Sequence, residues 1–342
     1  MKNSNNDEDI HSKALFVNKI GKDCYSHEIK CFKLDPIGEE EVVIKSMYSS
    51  INHKDIMVSD GNPGLVRRYP HIPGIDVTGI VYKSKNNKIK VGDRVMVIAR
   101  PLGIESYGGL SEYVKVPAAW VEKIPANISE KQAMIFGTAG FTAALAVQKL
   151  LTNKISTSQL PVLVTGASGG VGSMSIFLLK SNGFKVTALT SSLENKYYLK
   201  SIGADEVISS STFQKSINLP LLKETYSSII DNVGGENVAV GIKTIQRDGF
   251  LILVGNIASS KFLAHVSPFL LRGVSIMGIN AESCTERQRK KLWRMLEAYK
   301  NKKRIEKLYR VIKFDQISAN IRSVKMNKHT GRLVVKIDDS LS

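Results

Sequence analysis

Hydrophobic positions change their spacing along this chain. In the first third they come in short bursts with strand character. The bursts are Ala14-Leu15-Phe16-Val17, Glu41-Val42-Val43-Ile44-Lys45-Ser46-Met47, Asp76-Val77-Thr78-Gly79-Ile80-Val81 and Val91-Gly92-Asp93-Arg94-Val95-Met96-Val97. Gly and Pro punctuate them, as in Asn62-Pro63-Gly64 and Ile72-Pro73-Gly74. Short strands at this spacing predict a compact, barrel-like β domain.

At Ile128-Ser129 the period lengthens. Ser129 and Gln132 have the spacing of a helix capping box, and apolar residues recur from Met134 to Leu151 at helical spacing. Gly137 and Gly140 are expected to break this stretch into two helices. From Leu160 onward short apolar strands alternate with helices. The predicted strands are 161–165, 185–190, 206–208, 228–231, 250–255 and 274–278. This βαβ rhythm predicts an α/β fold with a Rossmann-type, doubly wound parallel sheet. A helix from 286 to about 302 follows, then strands at 309–314 and 333–337 that rejoin the first domain. The expected division is 1–127 with 305–342 for a discontinuous β domain, and 128–304 for the cofactor domain.

Composition agrees with two globular domains. The chain has 342 residues, 43% hydrophobic and 23% charged, and domains average roughly 150 residues. No apolar run reaches the ~20 residues of a membrane span, and the polar start lacks a signal-peptide pattern. The expectation is a cytoplasmic protein with no membrane partner. Three cysteines, Cys24, Cys31 and Cys284, are too few and scattered for a disulfide framework, and no CxxC pair suggests structural zinc.

The formal charge of +17 favours anionic partners. A phosphorylated cofactor, a coenzyme A thioester, nucleic acid, or a merely solvated basic surface all satisfy it. The densest run, Arg287 to Arg304, reads as one exposed helix. No helix-turn-helix or aromatic-rich basic motif points to specific nucleic-acid binding.

The strongest motif is Val162-Leu163-Val164-Thr165-Gly166-Ala167-Ser168-Gly169-Gly170-Val171-Gly172-Ser173. It follows a predicted strand and opens a predicted helix, the context of a dinucleotide-binding turn. Gly169 lets backbone approach a pyrophosphate, and Gly172 lets the helix pack closely on the strand. The next strand ends Ala188-Leu189-Thr190-Ser191-Ser192-Leu193-Glu194-Asn195-Lys196. No acid sits at its tip to hold a ribose 2′-hydroxyl. Ser191, Ser192 and Lys196 suit a 2′-phosphate, which favours NADPH, although Glu194 works against it.

In the first domain, Asn52 and His53 are candidate catalytic groups. His53 is a proton source or a structural histidine, and Asn52 a carbonyl-orienting amide or a turn former. Asp76 reads as a satisfied carboxylate. Arg67 and Arg68 are candidates for an anionic substrate tail, or are simply solvated. No metal is expected, because His53, His71 and Asp76 lack a thiolate neighbour.

These residues resemble the medium-chain dehydrogenase/reductase superfamily, in its zinc-independent quinone-oxidoreductase branch, and most of all the NADPH-dependent acryloyl-CoA reductases. The matching segments are Ser50-Ile51-Asn52-His53-Lys54-Asp55, Ile72-Pro73-Gly74-Ile75-Asp76, Gly108-Gly109-Leu110-Ser111-Glu112, Ile135-Phe136-Gly137-Thr138-Ala139-Gly140-Phe141-Thr142-Ala143, the glycine loop, Tyr198-Leu199-Lys200-Ser201-Ile202-Gly203-Ala204, Asp231-Asn232-Val233-Gly234-Gly235, Pro268-Phe269-Leu270-Leu271-Arg272-Gly273-Val274 and Gly331-Arg332-Leu333-Val334-Val335-Lys336-Ile337. In zinc-dependent relatives a His-Glu pair occupies the place of Ile75-Asp76.

The resemblance implies a GroES-like β-barrel catalytic domain beside the Rossmann domain, and a homodimer joined through edge strands. It implies that Ser168, Gly169, Gly170 and Val171 wrap the pyrophosphate and that Thr190, Ser191 and Ser192 meet the adenosine phosphate. It also places His53, Asn256, Leu270, Ala281 and Asn327 against the cofactor. The implied reaction is reduction of an activated C=C bond, in an enoyl thioester such as acryloyl-CoA or in an enone, with quinone reduction as the alternative. Relatives usually carry tyrosine where His53 stands, and often arginine where Ser192 stands.

Overall fold

The apolar bursts of the first third pair as antiparallel strands. The computed structural model describes residues 9–153, 155, 160–216, 218–326 and 329–338. The chain divides into two units, one drawn from 1–137, 311–328 and 333–342, the other from 138–310 and 329–332.

In the first unit β1 (His11–Gly21) and β2 (Cys24–Lys33) form a hairpin. Strand β3 (Glu41–Ile51) runs into helix α1 (His53–Ser59). Then come β4 (Val77–Ser84), β5 (Arg94–Val97), β6 (Tyr113–Pro117) and β7 (Glu122–Lys123). Strand β3 is the hub, antiparallel to both β4 and β6, and β5 joins β4 to β7. β-Branched residues fill the interior, among them Val42, Ile44, Val77, Val81, Val95, Val97, Val114 and Val116. Such side chains pack well on a pleated surface.

Helix α2 (Glu130–Thr152) begins where the capping box predicts. Gln132 N–H donates to Ser129 Oγ at 3.1 Å, and Ser129 N–H to Gln132 Oε1 at 3.0 Å. Gly137, at φ 49° and ψ −159°, breaks the helix, a left-handed value that only glycine adopts freely. Gly140 causes no break. The units divide at this kink, within the helical stretch, and not ahead of it at residue 128. Contrary to the sequence expectation, α2 is long and apolar enough to cross a membrane, but 72% of its apolar window is buried. A core helix of a water-facing domain reads the same way by composition.

The second unit alternates strictly. It contains β8 (Val162–Val164), α3 (Gly170–Ser181), β9 (Val186–Thr190), α4 (Lys196–Ile202), β10 (Glu206–Ser209), α5 (Ser210–Phe213), β11 (Tyr226–Asp231), α6 (Glu236–Gly241), β12 (Ile245–Leu253), α7 (Ser267–Arg272), β13 (Ser275–Gly278) and α8 (Glu286–Tyr299). The six strands lie parallel in the order β10-β9-β8-β11-β12-β13. The order reverses at β8, which is where a doubly wound sheet opens its ligand crevice.

Helix α8 departs from the expectation of one exposed basic helix reaching 302. It ends at Tyr299, and Arg289, Leu292, Trp293 and Leu296 are buried. The Arg289 guanidinium stacks 4.6 Å from the Phe141 ring centroid. Last come β14 (Tyr309–Lys313), α9 (Ile317–Lys325) and β15 (Arg332–Lys336). Strand β15 pairs with β3, Leu333 opposite Ile51, and buries Leu333 and Val335 with Ile312, Phe314, Ile317 and Ile321.

Candidate active site

Candidate functional residues cluster separately within each unit. In the second unit the turn after β8 is braced from the neighbouring strand. Thr165 Oγ1 donates to Asp231 Oδ1 at 2.6 Å and receives the Asn232 N–H at 2.9 Å, while Asn232 Nδ2 donates to Thr165 O at 2.7 Å. Gly234 N–H donates to Asp231 Oδ2 at 2.7 Å. Burial pushes the Asp231 carboxyl up, against the pull of these donors. These contacts fix the loop without using the N–H groups that open α3.

Gly169 is the residue ahead of α3, at φ −75° and ψ 176°. The first intrahelical bond runs from Ser173 N–H to Gly169 O at 2.9 Å. The N–H groups of Gly170, Val171 and Gly172 precede it and point out of the helix end, where the dipole favours an anion. Gly169 is exposed. A Cβ built on it meets nothing closer than 3.4 Å, so a cradle lies open there. At Gly172 the opposite holds, since a Cβ would sit 2.2 Å from Gly166 O. The Asn232 Oδ1 is buried beside this turn with no hydrogen-bond partner. An open cradle, outward N–H groups and a packed helix start fit a dinucleotide diphosphate.

A further cation belongs to this cluster, and sequence reasoning did not find it. Arg332 is buried at 2% exposure, and its Cδ and Nη1 lie 3.3 Å from where a Gly170 Cβ would stand. The segment carrying it is tied to the loop by Gly331 N–H donating to Ser168 O at 2.9 Å. Gly331-Arg332 belongs to a recognisable sequence segment, but nothing local in it reveals which element it packs against.

At the tip of β9, Thr190 Oγ1 donates to Ser192 O at 3.1 Å and Ser192 N–H donates to Thr190 Oγ1 at 3.3 Å. Ser191, Glu194 and Lys196 are exposed and Ser192 is half-buried, so the 2′-phosphate candidates stand open on one turn. Asn256 follows β12 and is exposed. Its Cα lies 3.2 Å from a Cβ built on Gly234, beside the β11 loop. Ala281 follows β13, its carbonyl receiving Arg289 Nη1 at 3.5 Å. The structure therefore brings Ser168 to Gly172, Thr190 to Lys196, Asn256 and Ala281 to the carboxyl ends of the strands. Leu270 is not brought there. It is 78% exposed, two residues before Arg272, whose guanidinium binds Lys243 O at 2.8 Å and Ile245 O at 3.3 Å near the start of β12. Short helix α7 carries Leu270 toward the amino ends of the sheet, a direction the sequence match did not reveal. Asn327 lies outside the described residues.

In the first unit two buried carboxylates knit the end of β3 to α1. Asp55 Oδ1 accepts the Gly74 and Ile75 N–H groups at 2.8 and 3.0 Å, and Oδ2 accepts the Asn52 N–H at 2.7 Å. Asp76 Oδ2 accepts from Ser50 Oγ at 2.7 Å and Asn52 Nδ2 at 2.9 Å. Both are fully buried. Burial, and then repulsion from Asp76, push the Asp55 carboxyl up to about 7 in spite of its three backbone donors. The sequence reading of Asp76 as a satisfied carboxylate holds. The reading of Asn52 as a catalytic donor is corrected: its amide N–H groups are committed to Asp76 and to Ser50 O at 3.2 Å.

His53 opens α1 with its ring exposed. Desolvation by neighbouring atoms lowers its pKa, with Asp60 opposing. Arg67 and Arg68 are exposed on the loop after α1. Among the described residues no cluster of three His, Cys, Asp or Glu could hold a metal ion.

Comparison with known proteins agrees with this architecture. Residues 38–126 match the alcohol dehydrogenase GroES-like domain, and residues 170–298 match the zinc-binding dehydrogenase family. The chain is similar to YhfP of Bacillus subtilis, provisionally named a quinone oxidoreductase, with 36% identity across 95% of this chain and 98% of that one. It is 35% identical to the acrylyl-CoA reductase AcuI of Ruegeria pomeroyi across 86% of each chain. Among solved structures, the yhdH oxidoreductase of Salmonella enterica in complex with NADP superposes with a TM-score of 0.90 at 29% identity, covering 95% of this chain and 100% of that one. The Bacillus subtilis yhfP structure, with NAD bound, gives 0.90 at 35% identity, covering 96% and 100%.

Proposed function

Since the chain belongs to the quinone oxidoreductase and acryloyl-CoA reductase branch of the medium-chain dehydrogenase/reductases, we propose that this oxidoreductase uses NADPH, without zinc, to reduce the activated double bond of a short enoyl-CoA thioester. The observation that carries the reading is the glycine-loop cradle with buried Arg332 behind it, in a chain similar to AcuI over most of its length.

Bound NADPH supplies the hydride, which the β-carbon of the enoyl group accepts. The protein's own contribution is placement and charge. The N–H groups of Gly170, Val171 and Gly172 and the Arg332 guanidinium hold the diphosphate. Thr190, Ser191, Ser192 and Lys196 hold the 2′-phosphate. His53 is the proposed proton source for the α-carbon, so that acryloyl-CoA, NADPH and one proton give propanoyl-CoA and NADP+. Asp55 and Asp76 keep Asn52 and His53 in place.

Quinone reduction is the second reading, favoured by the name of YhfP. The test is NADPH oxidation, followed by its near-ultraviolet absorbance, with acryloyl-CoA and with benzoquinone in parallel, each repeated with NADH. Turnover with acryloyl-CoA alone supports the first reading. Turnover with quinone alone replaces it.

A homodimer is part of the proposal. Strand β13 is an edge of the parallel sheet. The segment before it exposes Leu263 at 90%, Val266 at 67%, Leu270 at 78% and Leu271 at 58%, and an interface would cover these apolar side chains. Action in the cytoplasm, beside the NADPH and thioester pools, is likewise proposed. A nucleic-acid role is set aside, because the relatives are named oxidoreductases.

A further inference from the structure

The first unit carries an aromatic strip that the reaction above leaves unused. Tyr107 stands at its centre with 42% of its surface open. Its ring centroid lies 6.1 Å from Phe16, 5.8 Å from Phe32 and 5.7 Å from His71. The strip continues through His71 to Tyr69 at 6.5 Å and on to Tyr25 at 4.9 Å. Arg67 and Arg68, both exposed, immediately precede Tyr69.

The support beneath it is rigid. The His71 N–H and C=O exchange hydrogen bonds with Val17 at 3.0 and 2.8 Å, and His71 Nε2 contacts Gly103 O at 3.0 Å. Tyr69 Oη donates to Val58 O at 2.7 Å. Rings fixed on their inner side lose little entropy when a flat ligand lands on them. Arginines beside them match a phosphate both in charge and in fork geometry.

The geometry points to a docking platform for the 3′-phosphoadenosine end of coenzyme A. The purine stacks on the strip at Tyr107, and Arg67 and Arg68 take the phosphates. A purine gains from aromatic stacking whatever its hydrogen-bonding edge, and the phosphates bring the charge that two exposed arginines need. The inference rests on the enoyl-CoA reading and adds where the carrier is held.

The probe is adenosine 3′,5′-bisphosphate, titrated calorimetrically into protein saturated with NADPH, so that the cofactor site is filled. In parallel, KM is measured for acryloyl-CoA and for acryloyl-N-acetylcysteamine, which lacks the nucleotide. Tyr107→Ala, and separately Arg67→Ala with Arg68→Ala, weaken bisphosphate binding and raise the KM for acryloyl-CoA by about tenfold. They leave kcat/KM for the truncated thioester unchanged, and Tyr107→Phe retains binding. Equal bisphosphate binding in wild type and variants, or an equal KM change for both thioesters, overturns the platform. Turnover of neither thioester overturns the enzyme reading alone, because the bisphosphate titration is read without turnover.

Discussion

Two one-methyl substitutions, three residues apart, separate the fold of the glycine loop from its use. At Gly172 an added Cβ lies 2.2 Å from Gly166 O, 2.8 Å from Ala167 Cα and 2.9 Å from Gly166 C. All three obstacles are backbone, so no side chain can swing aside. Restoring contact distance moves the loop and α3 apart by about 1 Å, an overpacking that costs about 1–3 kcal/mol. Gly172→Ala therefore lowers the thermal midpoint by roughly 2 to 10 °C and weakens NADPH along with it. At Gly169 the same methyl meets nothing nearer than 3.4 Å, and φ is −75°, a value alanine adopts freely. Its midpoint stays within about 2 °C of wild type. The methyl does stand where the diphosphate must approach, so NADPH affinity drops by roughly ten- to a hundredfold. Calorimetric melts and NADPH fluorescence titrations read the two effects apart. Wild-type stability in Gly172→Ala refutes the close-packing argument. Wild-type affinity in Gly169→Ala refutes the placement of the cofactor over that residue.

Four further expectations follow from the site. Asp55 holds its proton up to about pH 7 in the folded protein, against 3.8 for an ordinary aspartate. Stability is therefore lost as pH rises between those values. Asp55→Asn flattens the fall of the thermal midpoint across that range, and an unchanged slope refutes the burial argument. If the His53 imidazolium donates the proton, kcat falls as pH rises through a value below 6.5. His53→Tyr then moves that fall toward about pH 10, and a wild-type kcat flat between about pH 5 and 9 removes His53 from proton transfer. Lys196→Ala reduces the preference for NADPH over NADH by about tenfold and Ser192→Arg increases it, as read from the ratio of kcat/KM values. No change in that ratio for either variant sends the 2′-phosphate elsewhere. Leu263→Glu, on a side chain 90% exposed, shifts sedimentation from dimer to monomer, and a wild type that sediments as a monomer sinks the interface.

How far the residues announced this structure depends on whether a signal is local. The cofactor half was legible because strand period, turn glycines and helix period follow one another directly from Val162 to Ser181. The hairpin strand β2 escaped notice. Cys24-Tyr25-Ser26-His27-Glu28-Ile29-Lys30 mixes polar residues on both faces, and among the described residues the strand pairs only with β1. Arg289 read as one more solvated charge of a basic helix. Its burial against Phe141 depends on which face of α8 turns inward, and charge density alone does not set that. Asp55 sat inside a recognised motif, yet its hold on Gly74 and Ile75 exists only once two separate stretches of chain meet. Arg332 escaped notice for the same reason.

The tie between Gly331 and Ser168 also orders events in time. A polypeptide grows from its amino end, so the glycine loop emerges long before the segment that completes it. Until 329–332 arrives, Ser168 O lacks its donor and Gly170 lacks the guanidinium behind it. A nascent Rossmann unit is thus an unfinished receptacle, and a chain cut short after α9 would keep every strand of the parallel sheet and still lack its phosphate clasp. Only chains translated past Arg332 have the completed loop support.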